Sequence, residues 1–194
     1  MEINRFGENV IGVQTCEAIV EGRFVALIAN INAAYDFGSR TDLPGCRRPF
    51  TGNEAIGAHW CLMWAQDNRD MPIYNTYPAY GFALRQGFDQ ATNVPFAATV
   101  FVTQRSVQEG LTIPSGEVSI VFGPDSYLTV ASGAFVWSAA LAIPGCPLEV
   151  LNVTDDGNAL AGMLSAQAVM TIQTVAQVVE FNTATWRMTF RILD

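Results

Sequence analysis

Val175 to Leu193, VAQVVEFNTATWRMTFRIL, reads as two strands folded back on one another. Val175–Phe181 and Trp186–Leu193 are joined by the polar tetrad Asn182-Thr183-Ala184-Thr185. In the second strand Trp186, Met188, Phe190 and Ile192 alternate with Arg187, Thr189 and Arg191. A period of two sends successive side chains to opposite faces of a sheet, so one face is buried and the other wet. The first strand is apolar on both faces for much of its length, as a more central strand would be. A short polar loop between such runs is a hairpin signal. Trp186→Ala is therefore expected to remove core.

Working outward, the chain has 194 residues, enough for one well-buried domain or a domain with a large insertion. With 50% hydrophobic and 14% charged residues it is a globular chain. All 10 basic residues are arginines, which excludes a Walker-type phosphate lysine, a Schiff-base lysine and a lysine isopeptide crosslink from this chain. A net charge of −8 argues against a nucleic-acid surface, which needs a basic face. No run of about 18 apolar residues suggests a membrane span. The start, Met1-Glu2-Ile3-Asn4-Arg5, lacks the pattern of a signal peptide, so synthesis and folding in a cytoplasm are expected. Cys16, Cys46, Cys61 and Cys146 form no C-x-x-C motif and are expected reduced and buried. His59-Trp60-Cys61 offers two zinc ligands at most, and a packed His beside a packed Cys is the plainer reading.

Residues 10–28 open a β domain: Val13 to Val20, a Glu21-Gly22 turn, then Arg23 to Ile28. From Ala29 to about Asn93 Gly, Asn, Asp, Pro and aromatic residues dominate. Within this stretch Thr51-Gly52-Asn53-Glu54 fits a capping box, and Ile56, Trp60, Met63 and Trp64 at helical spacing predict a helix from Gly52 to Ala65. Tyr74, Tyr77 and Tyr80, pinned by Pro72 and Pro78, form either a stacking platform for a sugar, a protein contact, or packing of the loop on its own domain. Strands are expected at Phe96–Thr103, Glu117–Phe122, Tyr127–Val130, Ala134–Leu141 and Leu148–Val153. Spacing of about ten residues with intervening turns is the pattern of a sandwich or barrel. Ala159–Met170 reads as a short helix or as a loop followed by a strand. The expected architecture is mainly β, a small β-barrel or β-sandwich closed by the C-terminal hairpin. It forms a single domain over 1–194, with its core from 10–28 and 96–194 and a loop-rich insertion at 29–95.

Catalytic and metal motifs are not evident. Asp155-Asp156-Gly157-Asn158 resembles part of a calcium loop without its remaining ligands, and a type I′ turn explains it more economically. Asn152-Val153-Thr154 matches the glycosylation sequon, but a cytoplasmic chain never meets the transferase. There is no G-x-S-x-G elbow and no H-E-x-x-H pair. No enzyme activity, cofactor or metal is expected.

Four stretches carry a family likeness: VEGRFVAL at Val20–Leu27, IPSGEVSIVFG at Ile113–Gly123, ASGAFVW at Ala131–Trp137, and the closing hairpin. Together they resemble the capsid decoration (cement, or head-stabilising) proteins of tailed bacteriophages. The likeness spans roughly the first thirty and last eighty residues; 29–93 departs from the compact family pattern. It implies a non-enzymatic virion protein on the outer capsid surface, away from packaged DNA, which suits an acidic chain. It implies the major capsid protein as partner and a homotrimer at capsid three-fold positions, with no nucleic acid and no membrane. The expected contact residues are Trp60, Trp64, Tyr74, Tyr77, Tyr80, Arg187 and Arg191. The competing expectation is a carbohydrate-binding or receptor-recognition module that uses the Tyr/Trp-rich insertion. It requires exposed, coplanar aromatics along a groove.

Overall fold

Two hydrophobic cores are built by the alternation of a few short strands. A computed structural model of the chain describes residues 2–5, 10–28, 43–63, 82–88, 95–100, 112–116 and 118–194. In chain order the strands are β1 (Glu2–Arg5), β2 (Val10–Thr15), β3 (Ile19–Val20), β4 (Phe24–Ile28), β5 (Gly45–Arg47), β6 (Trp60–Met63), β7 (Phe82–Phe88) and β8 (Pro95–Val100). They continue as β9 (Thr112–Ile113), β10 (Val118–Phe122), β11 (Tyr127–Ala131), β12 (Pro147–Val150), β13 (Leu164–Ala166), β14 (Thr174–Asn182) and β15 (Arg187–Ile192). Short helices α1 (Gly52–Ile56) and α2 (Val153–Asp156) lie between them.

The fold is mainly β and contains a small closed barrel, as expected from the sequence. The barrel runs β10-β2-β5-β4-β6 and closes between β6 and β10. Its β2–β5 junction is parallel and the others antiparallel. Val13, Val25, Cys46, Leu62 and Val121 fill the interior together with Ile19 and Ile113 from the paired β3 and β9. A barrel this narrow is packed with side chains. The intervening residues, Phe24, Cys61, Ile120 and Phe122, join a second cluster with Leu128, Met188, Phe190 and Ile192 of the neighbouring sheet. The rings of Phe24 and Phe190 meet across this boundary at 5.7 Å. Barrel and sheet therefore share one core.

That sheet has six strands in the order β1-β11-β15-β14-β12-β13. The hairpin β14–β15, expected to close a barrel or sandwich, lies in the middle of this sheet and is not one of the barrel staves. Met188, Phe190 and Ile192 are fully buried, while Arg187 and Thr189 are half-buried and Arg191 is exposed. A bulge between Val178 and Glu180 leaves both Val179 and Glu180 facing solvent and returns Phe181 to the core side opposite Met188. The loop is shaped by Asn182, whose Oδ1 accepts from the backbone N–H of Ala184 at 3.0 Å and Thr185 at 3.1 Å. Trp186 departs from expectation: it sits at φ +53° before β15 begins and is 48% exposed.

Several other expectations are corrected. The stretch 29–95 is not an insertion throughout, because it supplies the barrel staves β5 and β6. Strands of three or four residues show too little alternation to be seen. The helix expected to reach Ala65 stops at Ile56, and Trp60–Met63 is a strand. There Cys61 faces the shared core and Leu62 the barrel interior, a period of two that chance helical spacing concealed. Thr51 does cap α1, accepting from Glu54 N–H, but the Glu54 carboxylate reaches past Thr51 to Phe50 N–H at 2.8 Å.

Ala134–Leu141 is not a strand. Single 3-10 turns at Ser132–Ala134 and Ala139–Ala142 flank Phe135, which bridges Leu164 in parallel. The strand expected over Leu148–Val153 ends at Val150 and gives way to α2. Asp156-Gly157 is not a type I′ turn, because Gly157 has positive φ and Asp156 does not. After it, Ala159–Met170 is a loop followed by strand β13.

Candidate interaction surfaces

Of the sequence-derived contact residues, the three that the structure describes are Trp60, Arg187 and Arg191, and Trp60 lies apart from the two arginines. Trp60 is half-buried and packs against the barrel interior. Trp64, Tyr74, Tyr77 and Tyr80 lie outside the described residues. Arg187 and Arg191 are on β15, on the sheet face turned away from the shared core. Arg191 is ion-paired with Asp125, and this hydrogen bond raises its pKa. Between the two arginines Thr189 hydrogen-bonds Thr129 side chain to side chain at 2.7 Å. Arg187 stands opposite Asn182 in the hairpin ladder.

His59 and Cys61 diverge to different partners. His59 Nδ1 lies 3.1 Å from the Leu193 carbonyl oxygen; a carbonyl can only accept, so Nδ1 carries the proton in that contact. Cys61 Sγ donates to Gly22 O at 3.3 Å, and burial pushes its thiol pKa up. Burial, with smaller contributions from Cys16 and Glu17, pushes the Cys46 thiol up to about 12. Neither supplies a thiolate nucleophile at neutral pH. Among the described residues no group of three His, Cys, Asp or Glu side chains is arranged to hold a metal ion. The sequon amide of Asn152 is tied into the cap of α2. Its Oδ1 accepts from Asp155 N–H, its Nδ2 donates to Asp155 Oδ2, and the residue is 6% exposed.

Ion pairs brace the barrel side. Arg48 donates from Nε and its backbone N–H to Glu17 Oε1 and from Nη2 to Oε2, while its Nη1 reaches Asn158 O. Burial pushes the Glu17 carboxyl up, but the hydrogen bonds from Arg48 and the charges of Arg48 and Arg47 outweigh it. The net pKa is below the ordinary value.

Two apolar surfaces were not anticipated from the sequence. At the tip of the hairpin, Trp137, Phe181 and Trp186 form a cluster with ring separations of 4.8, 5.0 and 6.0 Å. It grades inward to buried Phe135, which meets Phe181 edge-on at 5.6 Å. Trp137 and Trp186 are each nearly half exposed, and their planes stand 71° apart. The left-handed backbone at Trp186, strained for so bulky a residue, is held where the indole meets both neighbours.

The second surface is the 167–173 loop between β13 and β14, where Val169 is 66%, Met170 59% and Ile172 86% exposed. Hydrogen bonds hold this loop from within. Thr174 Oγ1 donates to Gln167 Oε1 and accepts from Thr171 N–H, and Gln167 Nε2 reaches both Glu149 and Thr171. Beside Gln173 is a hollow of about 190 Å³ whose lining includes Glu149, Asp155 and Asp156 and no basic residue.

No family model, curated protein or solved structure matches this chain. Its functional reading therefore stands on the residues themselves.

Proposed function

We propose that this chain is a structural virion protein that binds the outer surface of a phage capsid and stabilises it, without catalysis. The observation that supports the reading best is the placing of the two apolar surfaces at opposite ends of β14. The 167–173 loop leads into the first residue of that nine-residue strand and the aromatic cluster takes in Phe181 near its last, so the two surfaces are separate. A protein that sticks at both ends suits a tie between neighbouring subunits of a lattice. Exposed apolar area of this kind marks contact sites, and its burial between subunits is the physical source of added capsid stability. The partners in this reading are the major capsid protein and further copies of the chain as a homotrimer at three-fold positions. The location is the outer face of the virion.

The carbohydrate-binding reading has less behind it. A sugar ring stacks on a flat aromatic platform, whereas the exposed tryptophans lie edge-to-face, and Trp60 faces the barrel core. The test is cosedimentation of the purified chain with undecorated capsids over a range of salt. Saturable binding accompanied by a higher capsid melting temperature is expected. Failure to bind at any salt, or binding with no change in capsid melting, rejects the proposal.

A further inference from the structure

We infer that the 167–173 loop docks into an apolar socket with a basic rim on a protein partner; within the reading above, that partner is the capsid protein. Three features carry the inference. The first is display: Val169, Met170 and Ile172 place three large apolar side chains in solvent within four residues. Collapse of such a loop onto its own sheet would bury that area, and the loop is instead held outward.

The second is bracing. Gln167, Thr171 and Thr174 bond to one another and to Glu149, and Gln177 Nε2 reaches Met170 Sδ at 3.4 Å. A segment already fixed in its displayed shape loses little conformational entropy when it is bound. Residues 167–173 thus have the economy of a preformed plug.

The third feature chooses the occupant. The hollow next to Gln173 is lined by the carboxylates of Glu149, Asp155 and Asp156 without a basic side chain. Among the described residues Arg47 is paired with Glu54, Arg48 with Glu17 and Arg191 with Asp125. A second copy would bring the same acidic surroundings and another net charge of −8 to the contact. Like charges face to face oppose association, as they would at an anionic bilayer, whereas an arginine or lysine rim on a different protein complements the hollow.

The experiment compares the unaltered chain with Ile172→Asp and with the double variant Glu149→Gln/Asp155→Asn, using undecorated capsids at rising salt. Thermal melting of the free proteins verifies that each variant is folded. Expected is at least a tenfold loss of affinity for Ile172→Asp with unchanged melting. Binding of the unaltered chain should weaken with salt, and the double variant should bind less tightly with a flatter salt dependence. If the unaltered chain binds and Ile172→Asp binds equally well, the loop is not the contact, and the capsid reading survives without this inference. A salt dependence identical in the double variant removes the basic rim. Concentration-dependent self-association abolished by Ile172→Asp in the ultracentrifuge would assign the loop to a second copy and overturn the inference. Absence of any capsid binding by the unaltered chain rejects the capsid reading and this inference together.

Discussion

Gly162→Ala probes the junction on which the fold depends. Gly162 accepts from Phe24 N–H through its carbonyl and donates its own N–H to Leu151 O, linking barrel strand β4 to the segment between α2 and β13. Its φ is +81°, and a Cβ built there lies 2.6 Å from the Phe24 carbonyl oxygen and 3.3 Å from Arg23 Cβ. The first contact is with backbone, so relief requires moving β4. The left-handed conformation costs a non-glycine residue about 1–2 kcal/mol, and overpacking adds about 1–3 kcal/mol. Gly116→Ala and Gly145→Ala share the positive φ but have nothing within 4 Å of the new Cβ. They isolate the conformational part, about 1–2 kcal/mol. Equilibrium urea unfolding, followed by tryptophan fluorescence and far-ultraviolet circular dichroism, measures all three. Gly162→Ala should lose about 2–5 kcal/mol in total, clearly more than either control. Equal losses for the three variants would refute the close approach of β4 to Gly162. Non-coincident transitions for the two probes would refute the shared core.

Other substitutions extend the test. Phe190→Ala, which empties a fully buried site against Phe24, should cost about 3–5 kcal/mol in the same unfolding assay. Trp186→Ala removes a ring that is half in solvent, and its loss should be smaller, about 1–3 kcal/mol from the area that remains covered. Because the Glu17 pKa is lowered by folding, the Glu17–Arg48 pair stabilises above the ordinary carboxylate range. That contribution is lost as pH falls through the lowered folded value. Glu17→Gln should cost about 1–3 kcal/mol at neutral pH and flatten the acid limb of a stability-versus-pH curve. Native protein treated with a thiol reagent should react at half-buried Cys16 and spare Cys46 and Cys61 until unfolding, as peptide mapping would report.

The parts of the fold that the sequence declared are those where one face is wet and the other dry. Met188, Phe190 and Ile192 alternate with polar residues because β15 has a solvent face. Strands of the barrel gave a weaker signal because both of their faces are buried: Phe24 and Val25, Cys61 and Leu62, Ile120 and Val121 enter different cores, so no polar residue marks the period. Trp186 was misplaced because alternation says nothing about where a strand begins. The exposed loop carrying Val169, Met170 and Ile172 was unreadable for a related reason. Apolar residues in sequence look alike whether they fill a core or a partner's socket, and only folding reveals which of them remain uncovered.

The most direct measurement is a cryo-electron microscopy reconstruction of undecorated capsids mixed with excess chain. The account predicts added density on the outer surface around three-fold positions, with the two ends of β14 touching different neighbours and the 167–173 loop seated in the capsid protein. Capsids with no added density beside unbound chain would contradict it.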